Sequence, residues 1–565
     1  MNEARNLWAC GQPSIGYESN LSTGTTRPRE FCFCQAKVKV KNRQNPQSNM
    51  TSRDEAMPDA GATLENDELN EGNQIRISFV LDASVGTKET PDGEPLEVPG
   101  DPISVPATTR RRGLSAIVNH LLDRKVEKDA KGGSDEESGS DSDSDSESDD
   151  EDKLPSIAFD FLVNGRLLRT GIEAAARREG LSLETAVRVH YFPAARAPTA
   201  DGDSEELPDW ITAMSSSCCS STGGNAASAA KADNVLFAGT ADGAIRAFGC
   251  DEGGISELST IGAHAGPIKC IASLPDDTTT SSSGTGGCLV ASGSIDQTLV
   301  MHHMDKKKLA LHSVFSGGHT NSICSVALMR QSAGRAVMAS GDWDGNLSVW
   351  KVPSTGSGVG SSSSNNKASK KKQKTSSASA TAVEVEEVRP SVSWKAHASN
   401  ISGMAYTHGS NGTKLITGSW DHSLKVHDLE RQDCILTLNG SRVVTALGRC
   451  HNSDVVASAH PDCIVRLWDM RVHTKAGAEA TSVSDTTLRP SHKAWVTDVK
   501  WSPTDPYVLA TTSHDGTVKV WDIRSSLPLH TVRAHPKGEK GLCLSYTDGI
   551  IYSGGSDSVV KRFVC

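Results

Sequence analysis

Residues 511–524, TTSHDGTVKVWDIR, set Ser513, His514 and Asp515 side by side. A hydroxyl, an imidazole and a carboxylate are the groups from which a hydrolase assembles its nucleophile, its base and the group that orients the base. A hydrolase needs one such set in a cleft beside an oxyanion hole. This chain instead repeats the surroundings of Asp515: an apolar strand, a strand of small residues, an Asp at a turn and a second apolar strand. The unit recurs as LFAGTADGAIRAF, LVASGSIDQTLVMH, VMASGDWDGNLSVW, LITGSWDHSLKVHD, VVASAHPDCIVRLWD, VLATTSHDGTVKVWD and IYSGGSDSVVKRF. Its turn residues are Asp242, Asp296, Asp344, Asp421, Asp462, Asp515 and Asp557, spaced by 54, 48, 77, 41, 53 and 42 residues. These intervals fit a unit of roughly 40 to 45 residues with insertions confined to loops. Repetition argues for a structural role, and no P-loop, GxSxG or HExxH motif offers an active site elsewhere.

Two further positions recur around these Asp residues. Six residues after each stands a large ring: Phe248, His302, Trp350, His427, Trp468, Trp521 or Phe563. Some twenty to thirty residues before most of the turns stands a His, namely His264, His319, His397 and His492. The Asp-turn pattern resembles the WD-repeat family, a propeller of four-stranded sheets around a channel. In that family the upstream His, a hydroxyl two residues before the Asp, the Asp and the ring form a buried hydrogen-bonded chain. The resemblance implies seven blades, and a last complete set of His492, Ser513, Asp515 and Trp521, with His514 outside it. Every buried polar group in such a chain has a partner, so its loss costs stability and not turnover.

The elements ahead of the repeats are of another kind. QIRISFVLD from Gln74 alternates as a half-buried strand does, PISVP from Pro102 is a second short strand, and GLSAIVNHLLDR has one apolar helical face. IAFDFLVNGRLLRT reads as a hairpin around Asn164-Gly165, GIEAAARREG as a short helix and TAVRVHYF as a last strand. That order is the order of a ubiquitin-like roll, and with no diglycine after the last strand it reads as a fixed docking module. The expected architecture is an N-terminal α+β ubiquitin-like roll followed by an all-β seven-bladed propeller. The expected boundaries are a tail 1–73, the roll 74–194 with an acidic insertion 126–153, a linker 195–207, and the propeller 208–565 with a Ser/Lys-rich loop 354–386.

The 565 residues carry a formal net charge of −11, but Ser134–Asp152 alone holds 11 acidic residues, so net charge is silent about the folded surfaces. That run reads as a solvated loop or as a contact for a basic partner, tunable by phosphorylation of its serines. Lys370, Lys371, Lys372 and Lys374 form a basic cluster in the other insertion. It reads as a nuclear-import signal, with a soluble loop and RNA contact as alternatives; without interleaved aromatics, specific base stacking is disfavoured. The 14 cysteines show no CxxC spacing and read as reduced thiols. No apolar run approaches the roughly 20 residues needed to cross a bilayer, which points to a soluble intracellular protein.

Both modules together, through RRGLSAIVNHLL, FDFLVNGRLLRT, EGLSLETAVRVHY and SHDGTVKVWDIRS, resemble the ribosome-biogenesis family of WD-repeat protein twelve. The resemblance covers roughly residues 74 to 565. It implies a non-enzymatic assembly factor of the large (60S) ribosomal subunit, resident in nucleolus and nucleoplasm and supporting maturation of 5.8S and large-subunit rRNA. The implied partners are a block-of-proliferation-type WD-repeat protein, a pescadillo-type protein, the pre-60S particle and the AAA ATPase midasin, with no membrane and only indirect RNA contact. It further implies that Glu184, by the match of GLS.E, offers its carboxylate to a Mg²⁺ held in midasin's adhesion site; the chain has no metal or cofactor of its own. On the residues alone Glu184 is an exposed acid on a loop. A notchless-type factor, which has eight blades, and a substrate receptor of a ubiquitin ligase are the alternatives.

Overall fold

The structure is a computed structural model that describes residues 74–82, 96–122, 124, 156–219, 233–251, 254–276, 287–305, 308–331, 335–353, 386–409, 412–470, 487–488 and 492–565. The tail 1–73, the whole of the insertion 126–153 and the loop 354–385, with Lys370, Lys371, Lys372 and Lys374, lie outside the described residues.

Alternation shapes the first element. β1 (Gln74–Leu81) buries Ile75, Ile77 and Phe79 and turns the residues between them outward. It is followed by β2 (Ile103–Pro106), α1 (Arg111–Leu121), β3 (Phe159–Val163), β4 (Arg166–Leu167), α2 (Ile172–Arg178) and β5 (Val187–Pro193). These strands make one sheet in the order β2-β1-β5-β3-β4, with β1 and β5 parallel. Asn164 and Gly165 take φ of 51° and 76°, the left-handed conformations that a two-residue hairpin between β3 and β4 requires. α1 lays Leu114 and Val118 on the sheet, where Phe79, Phe159, Phe161 and Tyr191 pack edge to face or tilted. Its one buried polar side chain is accounted for: Asn119 Nδ2 donates to the carbonyls of Ser115 and Ile157, both at 2.8 Å, and its Oδ1 accepts from Ile157 N at 2.9 Å.

Among the described residues seven further sheets follow, six of four strands and one, the second, of five. Their first strands are Ile211–Cys219, Ile268–Asp276, Ile323–Arg330, Ile401–Gly409, Ala446–Arg449, Val496–Trp501 and Gly541–Thr547. Each of these packs on the first strand of the next sheet, and that of the seventh returns to the first. Side chains rivet the succession: Thr212 donates to Ile268 O, Ser325 to Ile401 O, Ser402 to Val444 O, Thr445 to Val496 O, Thr497 to Gly541 O and Cys543 to Ile211 O. This nearly all-β arrangement, with two helices among the described residues, fits a β-propeller built of WD repeats.

Residues 195–207 are more than a linker. Within them β6 (Thr199–Ala200) pairs antiparallel with Lys561–Val564 and supplies the outermost strand of the seventh sheet. Two exposed residues carry no alternation from which a strand can be read. The second sheet gains its fifth strand in a similar way, from Glu386–Val388, which runs parallel to Lys308–Phe315.

The turns join neighbouring sheets. Gly345 has φ of 85°, and its carbonyl accepts from the amides of Ala396 and His397 at 2.9 and 3.1 Å. A Cβ here would collide with the His397 carbonyl and meet that of Ser399 at 2.8 Å. Gly345→Ala is therefore expected to lower stability by about 2 kcal/mol or more, read as a shifted urea midpoint, because strained φ and a backbone clash act together.

Candidate functional site

The repeated polar residues come together as buried relays, one within each sheet. In the sixth sheet Trp521 Nε1 donates to Thr511 Oγ1 at 2.9 Å, Thr511 Oγ1 lies 2.8 Å from His492 Nε2, and His492 Nδ1 faces Asp515 at 3.2 Å. The hydroxyl in this relay is Thr511, four residues before the Asp, and not Ser513. Ser513 Oγ donates to Ala494 O at 3.1 Å and accepts from Asp515 N at 3.2 Å. Strand geometry decides between them: Thr511 and Ser513 share a strand face, and the residue nearer the ring is the one the indole N–H reaches. His514 stacks on Trp495, centroids 6.0 Å apart at 11°, so the adjacent Ser, His and Asp of the sequence do not form a triad.

The third sheet uses the same relay with one exchange. Trp350 Nε1 donates to Ser340 Oγ at 2.7 Å, and Ser340 Oγ lies 2.6 Å from His319 Nε2. His319 Nδ1 then reaches Asp342 Oδ2 at 3.2 Å and not Asp344. Asp342 also accepts from the amides of Asp344 and Asn346 at 3.0 and 2.8 Å and from Asn346 Nδ2 at 2.8 Å. Asp344 is exposed and accepts from Asn321 Nδ2 at 3.1 Å. Register alone aligns Asp344 with the other turn residues; the imidazole picks the carboxylate that is buried.

In the fourth sheet His397 joins Asp421 at 2.9 Å and Thr417 at 2.8 Å, and His427 takes the indole's place, its Nε2 3.0 Å from Thr417 Oγ1. In the second, His264 Nε2 meets Ser292 at 2.8 Å and Nδ1 meets Thr298 at 2.6 Å, which donates to Asp296 at 2.6 Å. The seventh sheet has its own histidine: His535 lies 2.9 Å from Asp557 and 2.8 Å from Ser553. Sequence reasoning missed it, although RAHPKG carries the same Ala-His pair as His264 and His397. In the first and fifth sheets an arginine takes histidine's place beside the turn carboxylate. Arg246 Nη2 is 2.9 Å from Asp242, Arg466 Nη2 is 2.6 Å from Asp462, and Trp468 donates to Ser458, which bonds His460 at 2.7 Å.

Burial sets the charge state of these groups. It pushes His264 and His492 below the ordinary imidazole range, against the pull of their aspartates. It takes His302, His427, His460 and His514 down to about 4. For Asp421 and Asp515 burial acts upward, but bonds from His397 and Ser423, and from His492 and Thr517, outweigh it and hold both below the usual carboxylate range. In the second and sixth sheets burial thus favours the neutral imidazole, which bridges a buried hydroxyl and the turn residues.

Two features lie on the outside. Glu184 is exposed on the loop before β5; Leu181 and Leu183 pack against the core of the N-terminal sheet, and the Glu184 amide donates to Ser182 Oγ at 3.3 Å. Inward leucines therefore turn the carboxylate to solvent. At the turns of the third, fourth and sixth sheets aromatic rings reach the surface: Trp343, 44% exposed, meets Trp420 edge to face at 5.0 Å, and Trp495 is 37% exposed. Among the described residues no group of three or more His, Cys, Asp or Glu is placed to hold a metal, and no helix is long and apolar enough to cross a membrane.

Such sheets and relays define the class of WD-repeat proteins of β-propeller type. The family model of the WD domain, G-beta repeat, matches residues 255–303, 311–351, 389–428, 432–469 and 483–522, and the NLE (NUC135) domain matches residues 87–176. Similar chains include three that carry the name ribosome biogenesis protein WDR12 homolog. That of Ixodes scapularis is 30% identical over 85% of this chain and 98% of its own, that of Chlamydomonas reinhardtii 29% over 83% and 94%, and that of Dictyostelium discoideum 26% over 88% and 96%. The chain belongs to this family of WDR12 homologues.

Proposed function

We propose that the protein is a non-enzymatic scaffold in ribosome biogenesis, acting in assembly of the large subunit and maturation of 5.8S and large-subunit rRNA. The carrying observation is that similarity to chains named for ribosome biogenesis runs through both modules, over 85% of the sequence in the 30% identical relative. In this reading the seven sheets are the blades of one closed ring, and the strand order β2-β1-β5-β3-β4 under one long helix is a ubiquitin-like roll. The ring binds a block-of-proliferation-type propeller together with a pescadillo-type protein, in the nucleolus and nucleoplasm, and the basic cluster at Lys370 serves nuclear import. The roll is the handle by which midasin withdraws the complex from the pre-60S particle. The relays are structural in this reading, which their burial and repetition support.

Glu184 carries the handle. A Mg²⁺ in a partner's adhesion site takes hard oxygen ligands at about 2.0 to 2.1 Å and is completed by an anionic oxygen from outside. An exposed carboxylate on a loop pinned by Leu181 and Leu183 fits that need, because little conformational freedom is lost on binding. In a pull-down with midasin's adhesion domain, Glu184→Gln is expected to reduce capture at least about a hundredfold and chelation of Mg²⁺ to abolish wild-type capture. Undiminished, metal-independent binding by the variant would overturn the handle. Purification of the chain with a cullin adaptor instead of pre-ribosomal proteins would overturn the scaffold reading in favour of a ubiquitin-ligase receptor.

A further inference from the structure

Arg524, the last residue of WDIR in the sixth sheet's repeat, is only 9% exposed and lies between two modules. Its guanidinium is flanked by two rings, Tyr507 of the sixth sheet's own loop at 4.2 Å and Phe192 of β5 at 4.7 Å. Its charge is held by Asp522, Nη2 to Oδ2 at 2.7 Å and Nε to Oδ1 at 3.0 Å, and faces Asp82 at the end of β1 at 3.8 Å. Its carbonyl accepts the backbone amide of Leu167 in β4 at 3.1 Å. Beside it Leu529 packs on Leu162, Leu167 and Phe192, and His530 Nε2 lies 3.3 Å from Ala195 O. One residue thus engages the N-terminal sheet by stacking, charge and backbone at once.

A guanidinium suits this place because its planar faces take aromatic rings while its edge pairs with carboxylates. The covalent connection alone would not fix the roll. Between β5 and β6 lie residues 194–198, which extended would span roughly 16 Å and leave it free to swing. β5 makes the placement functional: Glu184 lies just ahead of its first residue and Phe192 near its last, so both ends of one central strand are tied.

We infer that Arg524 is a positioning residue: it latches the N-terminal roll to the sixth sheet, so that Glu184 is presented in a fixed direction and a pull on it passes along β5 into the propeller. The purpose, though not the latch itself, rests on the handle reading given above. The latch is tested on the full chain without any partner, by hydrogen exchange at Leu167 and by X-ray scattering. Leu167 is expected to exchange slowly in the wild type. Arg524→Ala, and independently Phe192→Ala from the roll's side, should speed it about tenfold or more and lengthen the particle, with exchange in the sixth sheet's Val508–Ser513 unchanged. Arg524→Lys, which keeps the charge but not the planar stack, should fall between. Free exchange of Leu167 in the wild type, or both alanine variants matching the wild type, would overturn the latch whatever Glu184 does. Arg524→Ala should still bind midasin's adhesion domain as the wild type does; loss of that binding would mean that the arginine holds the roll's own fold, and would equally overturn it.

Discussion

Asp342→Ala is expected to cost about 4 kcal/mol or more, while Asp344→Ala, two residues away, should cost under about 1 kcal/mol. Asp342 is 0% exposed and its carboxylate receives four donors: His319 Nδ1, Asn346 Nδ2 and the amides of Asp344 and Asn346. Burial pushes its carboxyl up, yet those bonds win and hold it below the ordinary range, a sign that the charged form is well solvated by the protein. Removing it strands buried donors at roughly 1 to 3 kcal/mol each, non-additively because they share one site. Asp344 loses only a bond from Asn321 at the surface. Urea unfolding of the two variants measures the contrast. Equal losses would mean that the third sheet's relay runs through Asp344 after all.

Stability should fall steadily as pH drops from about 6.5 to 4. His302, His427, His460 and His514 titrate near 4 in the fold against 6.5 ordinarily, because burial disfavours their charged forms. Between those values the unfolded chain binds protons that the folded chain refuses, so stability is present above the unfolded value and lost below it. The slope is up to about 1.4 kcal/mol per pH unit for each of these histidines. Below about 4 the depressed carboxyls of Asp242, Asp296, Asp342, Asp421, Asp462 and Asp515 continue the loss, since their contribution exists only above their folded values. Asp160 and Asp505, raised by burial, act in the opposite sense but are fewer. Urea midpoints between pH 7.5 and 4.5 test this; a flat profile would refute it. His427→Phe, which removes one of the titrating groups, should flatten the slope.

Legibility in the sequence followed the range of the interaction. The N-terminal strands and helix were readable because alternation and the 3.6-residue period are local, and Asn164-Gly165 took the positive φ that its pair announces. The sheets were readable because each is announced by a turn carboxylate. Within the relays, spacing could not choose between Asp342 and Asp344, which flank Trp343, or between Thr511 and Ser513, which lie on one face of one strand. That choice is made by an imidazole arriving from the preceding loop. Arg246 and Arg466 were invisible as replacements for histidine because they come from within their own sheets, after the Asp and not before it. Arg524 is unremarkable within its WDIR motif, since Phe192, Asp82 and Leu167 come from far away in the chain.

The pairing of Thr199 and Ala200 with the last strand has a temporal side. Thr199 Oγ1 donates to the carbonyl of Val564, 365 residues later. A nascent chain therefore makes the hem of its final sheet long before the cloth to which it is sewn. Until residues 561–564 are translated that edge waits unpaired, and a chain interrupted ahead of Lys561 leaves the seam open even though the preceding sheets are complete.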